Sequence, residues 1–140
     1  MSGLAGHRPF RINDTYGHAV GDMVLHKLGF LLKTNLRKGT VVARFGGEEF
    51  AVILPNAVLH TAHFTMDNIR KLIESQIATD DGKPITISVG VCEANLSDPA
   101  GLTWAQQVLI QRADENLYRA KRAGRNRVCS PSEVTTGVNQ

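Results

Sequence analysis

Two glycines followed by two carboxylates, Gly46-Gly47-Glu48-Glu49, stand between two short apolar runs, and no other segment implies chemistry as directly. Glycine accepts positive φ and lets a ligand approach the backbone, and adjacent acids on a turn offer the hard oxygens that Mg²⁺ shares with phosphates. Such a hairpin tip suits a polyphosphate with its metal. The plainer alternative is a solvated turn whose acids only face water.

Two further clusters carry similar potential. In Ile12-Asn13-Asp14-Thr15-Tyr16-Gly17-His18-Ala19-Val20-Gly21-Asp22, a carboxylate offers two acceptors to the neighbouring N–H donors of guanine, and an amide both donates and accepts. Asn13 and Asp22 together would select guanine over adenine; alternatively, Asp14 or Asp22 only caps a helix or complements its dipole. In Ala113 to Arg127, Lys121 and Arg125 fall one turn apart if a helix persists that far, so both cations would face one phosphate group. A solvated basic helix end is the alternative.

The elements that must position these residues follow from apolar periodicity. Val20, Met23, Val24, Leu28, Leu31 and Leu32 predict an amphipathic helix from Ala19 to about Arg37, ending near Gly39. Val41 to Phe45 and Phe50 to Leu54 read as two strands joined by a tight turn. A second helix is expected over Leu59 to Ile77, then a turn at Asp80 to Pro84. Ile85, Ile87, Val89 and Val91 alternate with smaller or polar residues, predicting a strand with one buried face. A third helix is expected from Thr103 to Ala123 with Leu109, Ala113, Leu117 and Ala120 inward, and the tail after Cys129 has no period and reads as disordered. These elements belong to an α+β sandwich with a mainly antiparallel sheet, and three strands alone would make a thin one.

The totals bound the partners. With 140 residues and 42% apolar content the chain fits one domain, and a net charge of +3 with scattered Lys and Arg does not suggest duplex nucleic acid. Cys92 and Cys129 form no zinc-type or disulfide spacing, which fits a reducing compartment. No run approaches the roughly 20 apolar residues of a membrane span, and Met1 to Pro9 lacks a signal peptide's apolar core. A soluble, cytoplasmic chain without membrane contact of its own is expected, within a parent protein that could be tethered.

Taken together, the clusters resemble the GGDEF family of diguanylate cyclases. Ile12 to Asp22 matches the family's I-N-D-x-x-G-H-x-x-G-D, Arg44 to Phe50 its R-[FY]-G-G-[DE]-E-F, Thr86 to Val91 its T-x-S-x-G-[VI], and Ala113 to Val128, with Asn116 at the motif's second Ala, its A-D-x-A-L-Y-x-A-K-x-x-G-R-N-x-V. The resemblance implies a ferredoxin-like, adenylate-cyclase-like fold. It implies a domain over 10–129, preceded by an atypical segment 1–9 and followed by a disordered tail 130–140. The implied reaction joins two GTP into cyclic di-GMP and pyrophosphate, with two Mg²⁺ per active site and a homodimer that faces one GTP to the other. Glu48 and Glu49 are the implied metal-binding and catalytic carboxylates. Gly46 and Gly47 form the turn beneath the nucleotide, Asn13 and Asp22 read guanine, and Lys121 and Arg125 hold phosphate.

Two departures shape the expectation. The family carries a strand D-x-D-x-F-K before I-N-D whose first Asp completes the metal site; here Ala5-Gly6-His7-Arg8-Pro9-Phe10-Arg11 stands there, with no acid before Asp14. The first central strand is therefore expected to be missing or altered, and the chain to be a truncated or degenerate member with impaired GTP binding and catalysis. A catalytically inactive module that binds GTP or cyclic di-GMP is the alternative function, and a purely structural or dimerisation domain a further one. The family's inhibitory R-x-x-D site survives only as Arg37, with Thr40 in place of its Asp, so weak or absent product binding is expected there.

Overall fold

The computed structural model describes residues 2–9, 18–46, 49–94 and 102–131. Its elements run β1 (Ser2–Pro9), α1 (His18–Asn35), β2 (Val41–Gly46), β3 (Glu49–Pro55), α2 (Leu59–Gln76), β4 (Ile87–Ala94), α3 (Leu102–Arg122) and β5 (Val128–Cys129). The described strands form one sheet in the order β2-β3-β1-β4-β5, antiparallel except for the β4–β5 pair. The α+β sandwich with a mainly antiparallel sheet is therefore as expected.

The first central strand is present, and the alteration lies in its sequence. β1 occupies the middle of the sheet, with His7 opposite Phe50 on one side and Val89 on the other. Flanking strands satisfy its backbone on both edges, and Pro9, which has no N–H to donate, sits at its very end. β5 was not foreseen: a two-residue strand is too short to show a period, and it forms because Val128 and Cys129 pair with Val89 and Gly90. The segment 132–140 of the expected disordered tail lies outside the described residues.

Two helices cover one face. Leu25, Leu28 and Leu32 of α1 and Ala62, Met66, Ile69 and Ile73 of α2 pack on Phe50, Val52, Leu54, Ile87, Val89 and Val91. Each such large side chain withdrawn from water contributes about 1.5–3 kcal/mol. Met23, expected inward, is 61% exposed, and Leu25 takes its place in the core; the 3.6-residue period puts 25, 28 and 32 on one stripe.

The opposite face of β4, beyond the stripe that the alternation predicts, is covered by α3. Ser88, Gly90 and Cys92 are all buried there. A Cβ added at Gly90 would lie 2.1 Å from the Ala113 carbonyl oxygen and 2.3 Å from the Leu117 nitrogen. Small residues on this row are thus what let the helix backbone lie against the strand, and the alternation that looked half polar is a contact surface. Asn116, buried on α3, donates to the Val91 carbonyl at 2.9 Å, and the Cys92 thiol donates to the Leu109 carbonyl at 3.3 Å. Burial pushes the Cys92 thiol up to about 11, so it stays neutral and acts as a packed apolar group.

Candidate functional site

The hairpin forms as expected. Arg44 faces Phe50 and Gly46 faces Glu49, with an irregularity between Arg44 and Gly46. Glycine at 46 suits this break in the ladder. Gly47 and Glu48 lie outside the described residues, as does Asn13. Glu49 opens β3 and is half-buried. By strand alternation it falls on the face opposite Phe50, Val52 and Leu54, which is the face that α3 covers on β4.

Topology places the other groups at the same end of the sheet. β1 runs towards the hairpin tip, since its register continues from Ser2 opposite Pro55 to His7 opposite Phe50. α3 descends along β4, with Leu109 at Cys92 and Leu117 at Gly90, so its C-terminus points to the strand's start. β3 and β4 are separated by β1 alone, a lateral distance of about 10 Å. On the other face, Arg37 at the far end of α1 donates to the Pro55 carbonyl, and Gly29 lies against the Phe50 ring. Asp22, seven residues before Gly29, therefore lies about 10 Å further towards the hairpin tip. It is exposed and is the fifth residue of α1, one turn too late to be the helix cap.

The cation pair is not arranged as expected. The helix ends at Arg122, so Lys121 and Arg125 are not related by a continuous helical turn. Instead Gly124 has φ +123°, its N–H reaches the Lys121 carbonyl at 3.4 Å, and the Arg125 N–H donates to the Ala120 carbonyl at 2.9 Å. This pair of bonds closes the helix in a Schellman turn that only a left-handed residue permits. Arg125 and Asn126 follow at φ 65° and 46°, which turns the chain back to enter β5.

Residues that the motifs did not single out hold this turn. The Arg70 guanidinium donates to the Asn126 side-chain oxygen at 2.9 Å, and the Asn126 amide nitrogen donates to Glu74 at 3.0 Å. Arg70 is itself fixed by Asp67 at 2.8 Å. Burial raises the pKa of the Asp67 carboxyl, but the hydrogen bond and charge of Arg70, with Lys71 behind them, outweigh it and hold that group below its ordinary value. Arg119 donates to Asn116 at 2.9 Å and to the Ser130 carbonyl at 2.8 Å. The only sequence signal for the Asn126 contact is the four-residue spacing of Arg70 and Glu74, which by itself says nothing about a partner on another element.

The metal site is a different matter. Among the described residues no group of three or more His, Cys, Asp or Glu could hold an ion, and β1, which ends beside the hairpin, contains no acid. The hairpin supplies Glu48 and Glu49 from one element and β1 adds no acid, so the sequence offers one side of the two-strand carboxylate set that a two-Mg²⁺ centre uses. The Arg37 remnant is likewise changed: its guanidinium caps the end of β3 at Pro55, and Thr40 stands half-buried where the family has an acid.

Comparison with known proteins agrees with this architecture. Residues 10–127 match the family described as Diguanylate cyclase, GGDEF domain. The chain is 44% identical over 119 residues to Diguanylate cyclase A of Treponema denticola, covering 84% of this chain and 31% of that protein. It is 40% identical to Diguanylate cyclase DgcP of Pseudomonas aeruginosa over 118 residues, covering 84% of this chain and 17% of the relative. The chain thus spans a third or less of the length of these relatives. The active GGEEF domain of a diguanylate cyclase from Vibrio cholerae superposes with a TM-score of 0.79 at 28% identity, covering 94% of this chain and 83% of that one. The GGDEF domain of DgcB from Caulobacter crescentus, in complex with c-di-GMP, gives 0.78 at 30% identity, covering 92% and 77%.

Proposed function

The chain belongs to the GGDEF family of diguanylate cyclases, and from that premise we propose that it is a cyclic di-GMP signalling domain that binds GTP at the hairpin end of its sheet. The reaction for which such a site is built condenses two GTP into cyclic di-GMP and pyrophosphate. Each ribose 3′-hydroxyl attacks the α-phosphorus of the opposite nucleotide, so two copies of the domain must face one another. Glu48 and Glu49 belong to the catalytic centre, Gly46 and Gly47 leave room for the phosphates, Asn13 and Asp22 read guanine, and Lys121 and Arg125 hold the phosphate chain. The residues contribute positioning and charge stabilisation. Mg²⁺, when bound with GTP, would supply charge neutralisation at the phosphates, with Glu48 and Glu49 as its protein ligands. A GTP-dependent role suits the cytoplasm, and no helix among the described residues is long and apolar enough to cross a membrane.

One observation favours a reduced catalytic rate within this function. β1 takes the central position that would carry the second carboxylate and brings none, which supports a module whose GTP binding outlasts its turnover. Purified chain incubated with GTP and Mg²⁺ tests both statements. Stabilisation by GTP in a thermal shift, which requires binding to the folded state, with slow cyclic di-GMP formation is expected. Rapid turnover abolished by Glu48→Ala would overturn the reduced-rate reading, and no GTP stabilisation at all would overturn the binding function.

A further inference from the structure

Three consecutive residues with positive φ, Gly124, Arg125 and Asn126, lie between α3 and β5. For a glycine this conformation is free of strain, but for Arg125 it costs about 1–2 kcal/mol and persists only where surroundings impose it. The neighbours on the chain do part of this through the Arg125 N–H bond to Ala120 and the Arg127 side chain, which donates to the Arg125 carbonyl at 3.0 Å. The rest comes from a different element, α2.

We infer that Arg70 and Glu74 form a clamp that reads the Asn126 amide and thereby positions Arg125 for the phosphates of the nucleotide; this deepens the GTP-binding reading above and rests on it for the identity of the ligand. The chemistry is specific to an amide. Asn126 accepts from a cation through its oxygen at 2.9 Å and donates to an anion through its nitrogen at 3.0 Å, so the flanking charges fix which way the amide points. Arg70 is 14% exposed and also bonded to Asp67, hence already oriented before it meets Asn126. Aspartate at 126 would set a carboxylate against Glu74, and alanine would remove both hydrogen bonds, leaving Arg70 to Asp67 and to the more distant Glu74 at 3.7 Å. Arg70, Glu74 and Asn126 are positioning residues: they act on phosphate binding only through the backbone of Arg125.

Two measurements test this. Amide hydrogen exchange on the full chain reports the turn directly: Asn126→Ala and Arg70→Met should release protection of the Arg125 N–H, while Glu74→Gln, which still offers an oxygen to the amide, should keep it. Calorimetric titration with a non-hydrolysable GTP analogue and Mg²⁺ reports the ligand. Asn126→Ala should weaken affinity about tenfold, the scale expected for losing hydrogen bonds to charged groups. The same change should have no further effect in an Arg125→Ala background, whereas a merely structural defect would weaken both backgrounds alike. Unchanged Arg125 protection in Asn126→Ala, or equal losses in the two backgrounds, overturns the clamp. Failure of the unmodified chain to bind the analogue overturns the GTP reading and the ligand assigned to the clamp, and the exchange data still decide whether Arg70 and Glu74 hold the turn.

Discussion

The two sides of the candidate site are built to different standards. On the α3 side, the placement of the helix end that carries Lys121 is over-determined. Gly90 lets the helix touch the strand, Asn116 fixes it to Val91, a Schellman turn closes it, and Arg70 with Glu74 grips Asn126. On the β1 and hairpin side, the scaffold is in place and the chemistry is thin. β1 sits centrally, paired on both edges, yet offers no carboxylate to the acids of the hairpin. Strand position is secured by backbone hydrogen bonds that any sequence but proline can make, whereas a metal centre depends on particular side chains. A family fold can therefore persist on a central strand whose side chains have changed.

The contrast can be broken from the catalytic side first. Replacing residues 5–10 with a D-x-D-x-F-K strand should raise the initial rate of cyclic di-GMP formation by about 10²–10³-fold, the scale associated with one charge-stabilising group in an active site. An unchanged rate would mean that β1 is not what limits the chain. On the packed side, Gly90→Ala should lower unfolding free energy in urea by about 1–3 kcal/mol, because its Cβ has no space against the α3 backbone and the helix must shift. A neutral outcome would show that α3 is held less firmly than its contacts indicate.

Smaller effects sharpen the same comparison. Removing the Arg37 side chain should cost about 1 kcal/mol through the lost bond to Pro55. Cyclic di-GMP binding at that site is expected to be weak or absent, with calorimetry showing no change in Arg37→Ala, and tight binding lost on that substitution would contradict the reading. Asp67 supplies a pH signature. Its folded pKa is lowered, so its contribution is present above the unfolded value of about 3.9 and is lost as pH falls through the folded value. Urea midpoints should accordingly drop below about pH 4 by more in the unmodified chain than in Asp67→Asn. Equal drops would show that the Arg70 pair does not couple to stability.

Much of the scaffold was legible because periodicity reports burial directly. The stripes of α1 and α2, the hairpin strands and the extent of α3 follow from residues such as Leu28, Leu32, Met66 and Ile73, whose spacing leaves one face to bury. The exceptions have specific causes. β1 contains two glycines and a proline, which read as breakers, and it is a strand only because β3 and β4 both need a partner between them. Ser88, Gly90 and Cys92 fall outside the buried stripe that the alternation predicts, and small size there serves a helix approaching from outside the strand.

By itself, the order of residues determined the family, the amphipathic faces and the identity of the chemical groups, since these depend on side-chain type and local spacing. It determined as well that no acid precedes Asp14. Tertiary structure decided which segment fills the centre of the sheet, how the helix ends beyond Lys121, and that Arg70 and Glu74 on α2 meet Asn126. The reason is physical: each of those outcomes joins residues distant in the chain, and such pairings exist only once packing has brought their elements together.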